Sequence, residues 1–477
     1  MSLPLKETSL ALNDLSLAQA GDSIRRRDVT ALAVTEAALA RAEAVQPKIN
    51  CFLRIDKEAA LEAADRADAE IAAGNWRGPL HGVPLAHKDV FDREGHVATA
   101  GAILFDTPAT SRATVMSRFD DAGATYMGAL NLDEFAAGGT GANDHYGRTH
   151  NPWNTDHISG GSSGGSAACV ASRAAFGALG GDAGGSVRIP AAMCGVIGLK
   201  PTFGRVSRAG TAPRTFSIDC TGPMTRTAED CALMLQAIAG HDPRDPTTPD
   251  LPVPDYHAAL RSDLKGVRVG VAVGSPFDQV DPDIARLLSD AHDALRDLGA
   301  ELVDITVPDV MRLNDLQQIL GKSEAAVICG RWMRERPGDM TFDAISVVQE
   351  GLLMPATRYL ESKALRAPLL EAHVRAVFGA VDVLFAPVLA GATPSIAETD
   401  FDDQDQVEEL FTRSARFTRF TNYLGTPSLS VPCGFTGNGL PAAFQLHGPP
   451  FGEARLLTVA HAYQGATDHH AQAPQLI

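Results

Sequence analysis

The chain has 477 residues, and its 41 Lys and Arg against 58 Asp and Glu give a formal net charge of −17. Length alone suggests about two to four domains, at roughly 100–200 residues each. The acidic balance argues against a nucleic-acid-binding protein and against binding to an anionic lipid surface, because both need basic clusters. With 45% hydrophobic and 21% charged residues, the composition is typical of a soluble globular protein.

The cysteines are odd in number and widely spaced, with no CxxC pair: Cys51, Cys169, Cys194, Cys220, Cys231, Cys329 and Cys433. This pattern argues against a disulfide framework and a zinc site, and it fits a reducing compartment. The N-terminal segment lacks the apolar core of a secretory signal. No stretch comes near the roughly 18 uninterrupted apolar residues of a membrane span. We therefore expect a cytoplasmic protein without a metal ion or membrane contact.

Residues from about 10 to 75 are predicted to be helical. Asp28 or Thr30 can cap the segment TALAVTEAALARAEAV, whose Ala, Leu and Glu favour helix. We expect this helix to end at Pro47, since proline disrupts a helix interior. A second Ala- and Glu-rich helix is predicted from Lys57 to Ala73.

Beyond about residue 80, short apolar runs alternate with helical stretches. The predicted strands are Val83–His87, Thr125–Leu130, Val267–Val273, Leu302–Val307, Val381–Ala386 and Ser428–Val431. Several are apolar on both faces, as strands covered by helices on both sides are. One helix, capped by Asp281 and ending near Gly299, has its apolar residues on one face. Alternating strands and helices predict an α/β layered fold.

Lys88 ends an apolar run in the segment GVPLAHKDVF. A single lysine is most often a solvated surface charge. Apolar neighbours on both sides weaken that interpretation here, because burial lowers the proton affinity of a lysine. A neutral lysine can act as a base.

Ser186 lies in the glycine-rich segment GDAGGSVRIP. Glycines allow successive backbone N–H groups to converge on one point, which an oxyanion hole requires. We predict Ala183, Gly184 and Gly185 as the backbone donors. A phosphate-binding loop and a tight turn are the alternatives, but neither GK[ST] nor GxGxxG follows the glycines.

The segment SGGSSGGSAA contains Gly160-x-Ser162-x-Gly164, which matches the GxSxG nucleophile elbow of α/β-hydrolases. That elbow follows a strand, and the preceding NPWNTDHIS does not resemble one. It also needs a downstream histidine, and none of the candidates lies in a marked loop: His447, His461, His469 and His470. The SxxK pattern fails at Ser186, since position 189 is isoleucine.

The segments GVPLAHKDVFDREG, NLDEFAAGGTGANDHYGRTHNPWN, SGGSSGGSAACVAS and GDAGGSVRIPAAMCGVIGLKPTFGRVS together closely resemble the amidase signature family. The resemblance covers most of the chain and includes later blocks that begin GPMTRTAEDCALM and TPSLSVPCGF. It implies a single α/β/α domain over residues 1–477 around a mixed β-sheet. It also implies a Ser–Ser–Lys triad, with Ser186 as nucleophile, Ser162 as the bridging serine after a cis bond from Gly161, and Lys88 as base.

Four residues are expected to support this triad: Gly161, Ser163, Asp182 and Arg188. Asp182 and Arg188 flank the nucleophile, where they either orient its loop or form a structural ion pair. The sequence leaves both interpretations open.

The predicted function is hydrolysis of a carboxylic amide through an acyl-enzyme, without a cofactor, on a small apolar or aryl amide. The alternatives are the A subunit of a tRNA-dependent amidotransferase, because NLDEFA and GRVSR are similar to its blocks, and a catalytically inactive binding protein on the same fold. A homodimer is left open.

Within the domain we expect a helical N-terminal segment over about 10–75, a catalytic core over about 80–240 and a variable, substrate-facing segment over about 308–375. That segment carries large apolar side chains that line either the substrate pocket or the core: Trp332, Met333, Phe342, Met354 and Tyr359.

Overall fold

The computed structural model describes residues 12–400 and 404–476, and within these residues eleven strands form one mixed sheet. The strands are β1 (Phe52–Ile55), β2 (Pro84–Lys88), β3 (Thr125–Leu130), β4 (Gly177–Asp182), β5 (Ile197–Lys200), β6 (Cys220–Thr225), β7 (Arg268–Val273), β8 (Glu301–Thr306), β9 (Val383–Pro387), β10 (Ser428–Phe435) and β11 (Pro441–His447). Their order across the sheet is β1-β3-β2-β4-β6-β5-β10-β11-β9-β7-β8.

Helices cover the sheet. They are α1 (Leu17–Arg26), α2 (Ala31–Ile49), α3 (Lys57–Ala72), α4 (Thr114–Asp121), α5 (Gly164–Ala171), α6 (Arg188–Cys194), α7 (Ala228–Ile238), α8 (Pro282–Asp297), α9 (Val310–Glu335), α10 (Phe342–Leu353), α11 (Ala356–Phe378), α12 (Gln404–Ala415), α13 (Arg419–Leu424) and α14 (Glu453–Ala466). The predicted α/β class with a mixed sheet is confirmed.

The sheet combines two parallel groups with an antiparallel centre. Strand β2 pairs in parallel with β3 and β4, and β7 pairs in parallel with β8 and β9. The strands between these groups, β6, β5, β10 and β11, are antiparallel to their neighbours. Lys88 ends β2 and Ser186 follows β4, and these two strands are adjacent and parallel, so their carboxyl ends open on the same edge of the sheet. Ser162 lies just before α5.

The helix predictions hold with two corrections. The region from about 10 to 75 is not helical throughout, because β1 (Phe52–Ile55) lies between α2 and α3. Helix α2 begins after Thr30, whose hydroxyl accepts from the N–H of Ala33 at 3.0 Å. It does not end at Pro47 but continues to Ile49. Pro47 lies near the end of the helix, which therefore loses only the one backbone hydrogen bond that the missing N–H of proline would have donated. In α8 the predicted apolar face is buried, and Asp281 is the N-cap residue.

The six predicted strands are all present, with shifts of one to four residues at some ends. Further strands were not expected, and the clearest is β4, which lies in the glycine-rich segment before Ser186. Glycine is depleted in strands because it offers no side chain to pack. Here Gly180 allows close packing, since a Cβ would come within 2.8 Å of Oγ of Ser163. The segment is therefore a central strand rather than a loop.

All seven cysteines are buried and free. Within residues 12–400 and 404–476, no helix combines the length and the apolar character that crossing a membrane demands.

Candidate active site

Lys88 is the last residue of β2 and is buried in the centre of the domain. Its Nζ lies 2.7 Å from Oγ of Ser162 and 3.0 Å from Oγ of Ser163. Ser163 is the N-cap residue of α5, so the end of a strand and the start of a helix bring these groups together. The peptide bond between Gly161 and Ser162 is cis, as the resemblance implied.

Ser186 lies between β4 and α6, and its carbonyl oxygen accepts from the N–H of Ser163 at 3.2 Å. Ser186, Ser162 and Lys88 line one cavity of about 890 Å³. Ser186 and Gly161 also line a smaller cavity of about 120 Å³. The three predicted triad residues therefore face a common space that a small substrate can enter.

Burial lowers the pKa of Lys88 to about 7. The carboxylate of Asp133 opposes this effect and Arg214 reinforces it. Lys88 is therefore neutral in a substantial fraction of molecules near neutral pH, and the neutral amine is the form that accepts a proton.

Asp133 is a buried carboxyl group that the sequence did not single out, although it lies within the NLDEFA block. Its Oδ2 accepts from the N–H groups of Thr140 and Gly141, and its Oδ1 has no hydrogen-bond partner among the described residues. Burial raises the pKa of Asp133 to about 7, with Lys88 acting against that rise. A Cβ on Gly161 would come within 2.5 Å of the carboxyl, so glycine is required there.

Asp182 and Arg188 form a fully buried ion pair, with Arg188 Nη2 3.0 Å from Asp182 Oδ1. Burial acts to raise the pKa of Asp182, but Arg188 outweighs it and holds the pKa well below its usual range. The same carboxylate accepts from the N–H of Gly185 at 2.8 Å and of Val187 at 3.1 Å. The two interpretations that the sequence left open are therefore both true, since the ion pair also orients the loop of Ser186.

The predicted set of oxyanion donors needs one correction, at Gly185. Its N–H already donates to Asp182 Oδ1, so it is not available to a substrate. Among the described residues, the N–H groups of Ala183 and Gly184 have no such acceptor. Their carbonyls accept hydrogen bonds from outside the loop, from Gln317 Nε2 at 2.8 Å and from Thr418 Oγ1 at 2.6 Å, and these contacts fix the loop next to Ser186.

The GxSxG elbow is not present. No strand precedes Ser162 within residues 151–161, and its hydroxyl contacts Lys88 rather than a histidine. His447 instead contacts Ser428 at 2.9 Å. Within the described part of the chain, no group of three His, Cys, Asp or Glu residues could hold a metal ion.

Of the five large side chains expected to line either the substrate pocket or the core, only Trp332 lines the 890 Å³ cavity. It packs against Phe105 and Phe135, with ring centroids 5.0 and 5.6 Å away. Met333, Met354 and Tyr359 pack on the apolar core instead, and Phe342 is exposed. Helical periodicity decides this outcome, because only one side of each helix can face the cavity.

A family model described as Amidase matches residues 33–457. The chain belongs to the amidase family. A relative from Geobacter metallireducens, named as the A subunit of glutamyl-tRNA(Gln) amidotransferase, is 39% identical over 97% of the chain and 99% of its own length. A protein of the same name from Methylococcus capsulatus is 40% identical over 96% of the chain and 98% of its own length. The resemblance to the amidase signature family is thereby confirmed.

Solved structures of amidase-family proteins share the fold. One is an inhibitor-bound structure of a vestigial protein complex described as revealing the evolutionary origins of an s-triazine catabolic enzyme. It is 32% identical to this chain, with a TM-score of 0.88, and the match covers 94% of this chain and 98% of the other. A peptide amidase with the competitive inhibitor chymostatin is 29% identical, with a TM-score of 0.80 over 96% of the chain and 98% of its own.

Proposed function

We propose that this protein hydrolyses a carboxylic amide by nucleophilic attack of Ser186, with Ser162 and Lys88 as the proton path. The observation that carries the proposal is the contact between Lys88 Nζ and Ser162 Oγ inside a cavity that Ser186 also lines. A serine hydroxyl is a weak nucleophile until a base takes its proton. Neutral Lys88 supplies that base.

In the first half-reaction, Ser186 Oγ bonds to the amide carbon while its proton passes to Ser162, whose own proton passes to Lys88. The N–H groups of Ala183 and Gly184 stabilise the oxyanion. When the C–N bond breaks, Lys88 returns the proton through Ser162 to the departing nitrogen. Water then attacks the acyl-enzyme along the same proton path, releasing the carboxylate and restoring Ser186.

The expected substrate was a small apolar or aryl amide, but the cavity wall is not only apolar. Phe105, Phe135 and Trp332 form an aromatic cluster on one side. Arginines line the same cavity, namely Arg208, Arg214, Arg244, Arg331 and Arg336. A substrate that fills this space meets both aromatic and cationic groups.

A second candidate function is that of the A subunit of an amidotransferase, and the names of the two relatives favour it over a stand-alone amidase. In this role the same hydrolysis of an amide would deliver ammonia to a partner protein rather than to water. The partners would then include other proteins of the complex besides a small-molecule amide. The buried free cysteines support a cytoplasmic location for either role.

The nucleophile and base are tested together with a serine-reactive fluorophosphonate probe and peptide mass mapping. We expect an adduct on Ser186 that falls strongly in Lys88→Ala. Lys200→Ala is the matched control, because Lys200 is also a buried lysine with a lowered pKa but does not line the cavity. An adduct on Ser162 or Ser163 instead would refute the assignment.

The two roles are separated by measuring ammonia release from amides by the purified chain alone, and amidation of Glu-tRNA(Gln) when the chain replaces the A subunit in a reconstituted amidotransferase. Hydrolysis alone with no amidation supports the amidase. Amidation, with little ammonia release by the isolated chain, supports the role in a complex.

A further inference from the structure

Arg214 lines both cavities that meet at Ser186. Its position is set from two sides. The N–H groups of Arg214 and Thr215 donate to Asp219 Oδ2 at 3.1 and 2.9 Å, and Arg214 Nη1 donates to the carbonyl oxygen of Ala136 at 2.9 Å. Asp219 thus fixes the backbone of Arg214, and the carbonyl of Ala136 holds its guanidinium at the active site.

Among the described residues, the Arg214 guanidinium forms no salt bridge with a carboxylate, although Asp219 and Asp133 lie close enough to attract its charge. Its Nε is buried without a hydrogen-bond acceptor. Asp219 is nearby, but its oxygens are occupied by backbone N–H groups and the Thr215 hydroxyl. A buried donor without an acceptor is costly. A ligand that enters the cavity can supply the missing acceptor.

Two other arginines of the larger cavity differ in this respect. Arg331 pairs with Glu335 at 2.9 Å, and Arg336 pairs with Asp339 at 2.6 Å. Their charges are already compensated at the cavity rim. Arg244 also forms no salt bridge among the described residues but lines only the larger cavity. Arg214 lines both cavities that Ser186 lines, so it is the cation that a bound anion would meet close to Ser186.

We propose that Arg214 binds a carboxylate of the substrate, so that the protein acts on amides that carry a carboxylate near the scissile bond. The planar guanidinium matches a carboxylate, which it binds through two parallel hydrogen bonds. The inference rests on the proposed amide hydrolysis and specifies its substrate class.

The test compares monoamides of dicarboxylic acids (succinamate and glutaramate) with uncharged amides of equal length (butyramide and valeramide). The quantity measured is the ratio of kcat/KM between charged and neutral amides. We expect the wild-type protein to prefer the charged amides and Arg214→Met to lower the ratio by about 10- to 100-fold, the usual strength of a charge-assisted pair. Arg214→Lys keeps the charge but lacks the two parallel N–H donors of the guanidinium, so it should retain part of the preference.

Arg331→Met is the matched control, because it removes a cavity-wall arginine whose charge is paired. It should change kcat/KM for charged and neutral amides by the same factor. A ratio that is unchanged in Arg214→Met, or that falls equally in Arg331→Met, would overturn the inference. Loss of activity on both classes to the same extent would also overturn it, and would assign Arg214 to the electrostatics of Lys88 instead.

Binding to Ser186→Ala protein separates this inference from the proposed function, since it needs no turnover. Calorimetry should show succinamate binding more tightly than butyramide, with the difference lost in Ser186→Ala/Arg214→Met. Equal binding of the two amides refutes the carboxylate site. A preference for succinamate in binding, in a protein that hydrolyses no amide, supports the site while rejecting the hydrolase.

Discussion

The Nζ of Lys88 lies 2.7 Å from Oγ of Ser162, and both residues are buried and line the same cavity. This contact makes a normally solvated side chain part of the proposed proton path. It also makes the protonation state of Lys88 depend on the groups around it, so that changes to those groups should be visible in both activity and stability.

Replacing Lys88 by methionine should abolish the base without damaging the fold. We expect amide hydrolysis to fall by about 10²–10⁴-fold, the usual contribution of a general base. The free energy of unfolding at pH 7 should not decrease, because a buried amine is removed. Burial lowers the pKa of Lys88 from about 10.5 to about 7, so the native state binds fewer protons than the unfolded chain between these values. The free energy of unfolding of the wild-type protein should therefore increase relative to that of the variant as pH rises from 7 towards 10. Urea unfolding at several pH values measures this difference.

Activity should rise with pH along a limb centred near the lowered pKa of Lys88, about 7. Asp133→Asn should move this limb to lower pH, because the carboxylate of Asp133 favours the charged form of Lys88. The measurement is kcat/KM against pH for both proteins. A limb at the same pH in Asp133→Asn would show that the two groups are not coupled.

The two adjacent serines should differ in their effects. Ser162→Ala interrupts the proposed proton path and should reduce kcat by at least about 10²-fold. Ser163 also contacts Lys88, but its hydroxyl accepts from the N–H of Gly181 at 3.2 Å and donates to its carbonyl at 3.3 Å. Ser163→Ala should therefore lower the unfolding free energy by about 1 kcal/mol and reduce kcat less. Equal loss of kcat in both variants would contradict these roles.

Arg188→Met should destabilise the protein severely, by about 3–5 kcal/mol, because it leaves the buried carboxylate of Asp182 unpaired. Arg188 holds the pKa of Asp182 below its usual range, so the ion pair stabilises the fold above that range and loses its effect as pH falls through the lowered pKa. In the variant, Asp182 can protonate at higher pH. The difference in melting temperature between the two proteins should therefore shrink from pH 7 towards pH 4. A constant difference would mean that Asp182 does not ionise in the native state.

Trp332→Ala should change which amides are preferred while leaving labelling of Ser186 intact. The indole stacks on Phe135 with ring centroids 5.6 Å apart and forms part of the cavity wall. Large aryl amides should gain or lose kcat/KM relative to acetamide. Phe342→Ala is the control, since Phe342 lies on the neighbouring helix and does not line that cavity. The same preference in all three proteins would remove Trp332 from the substrate site.

Several features followed from local pattern alone. The alternation of apolar runs and helical stretches is a short-range property, so it predicted the α/β class, six strands and the buried face of α8. The motifs around Lys88, Ser162 and Ser186 carried the family resemblance because their residue types and order are visible in one dimension.

Elements without a side-chain signal were missed. Strand β4 consists largely of glycine and lacks the apolar alternation by which strands are recognised, yet it pairs with β2 and β6 at the centre of the sheet. Asp133 lies in a segment that carried the family resemblance, but nothing local marked it as a neighbour of Lys88, and Arg214 has no distinctive neighbours in the sequence. Their importance comes from what folding places beside them.

The sequence by itself thus determined the fold class, the family and the three residues of the proposed triad. Only the tertiary structure decided that Gly185 donates to Asp182 rather than to a substrate, that Trp332 rather than Met333 faces the cavity, and that Arg214 forms no salt bridge among the described residues. The physical reason is that burial, pairing and charge compensation depend on residues far apart in the chain. Local composition cannot reveal which donors remain unsatisfied once the chain has folded.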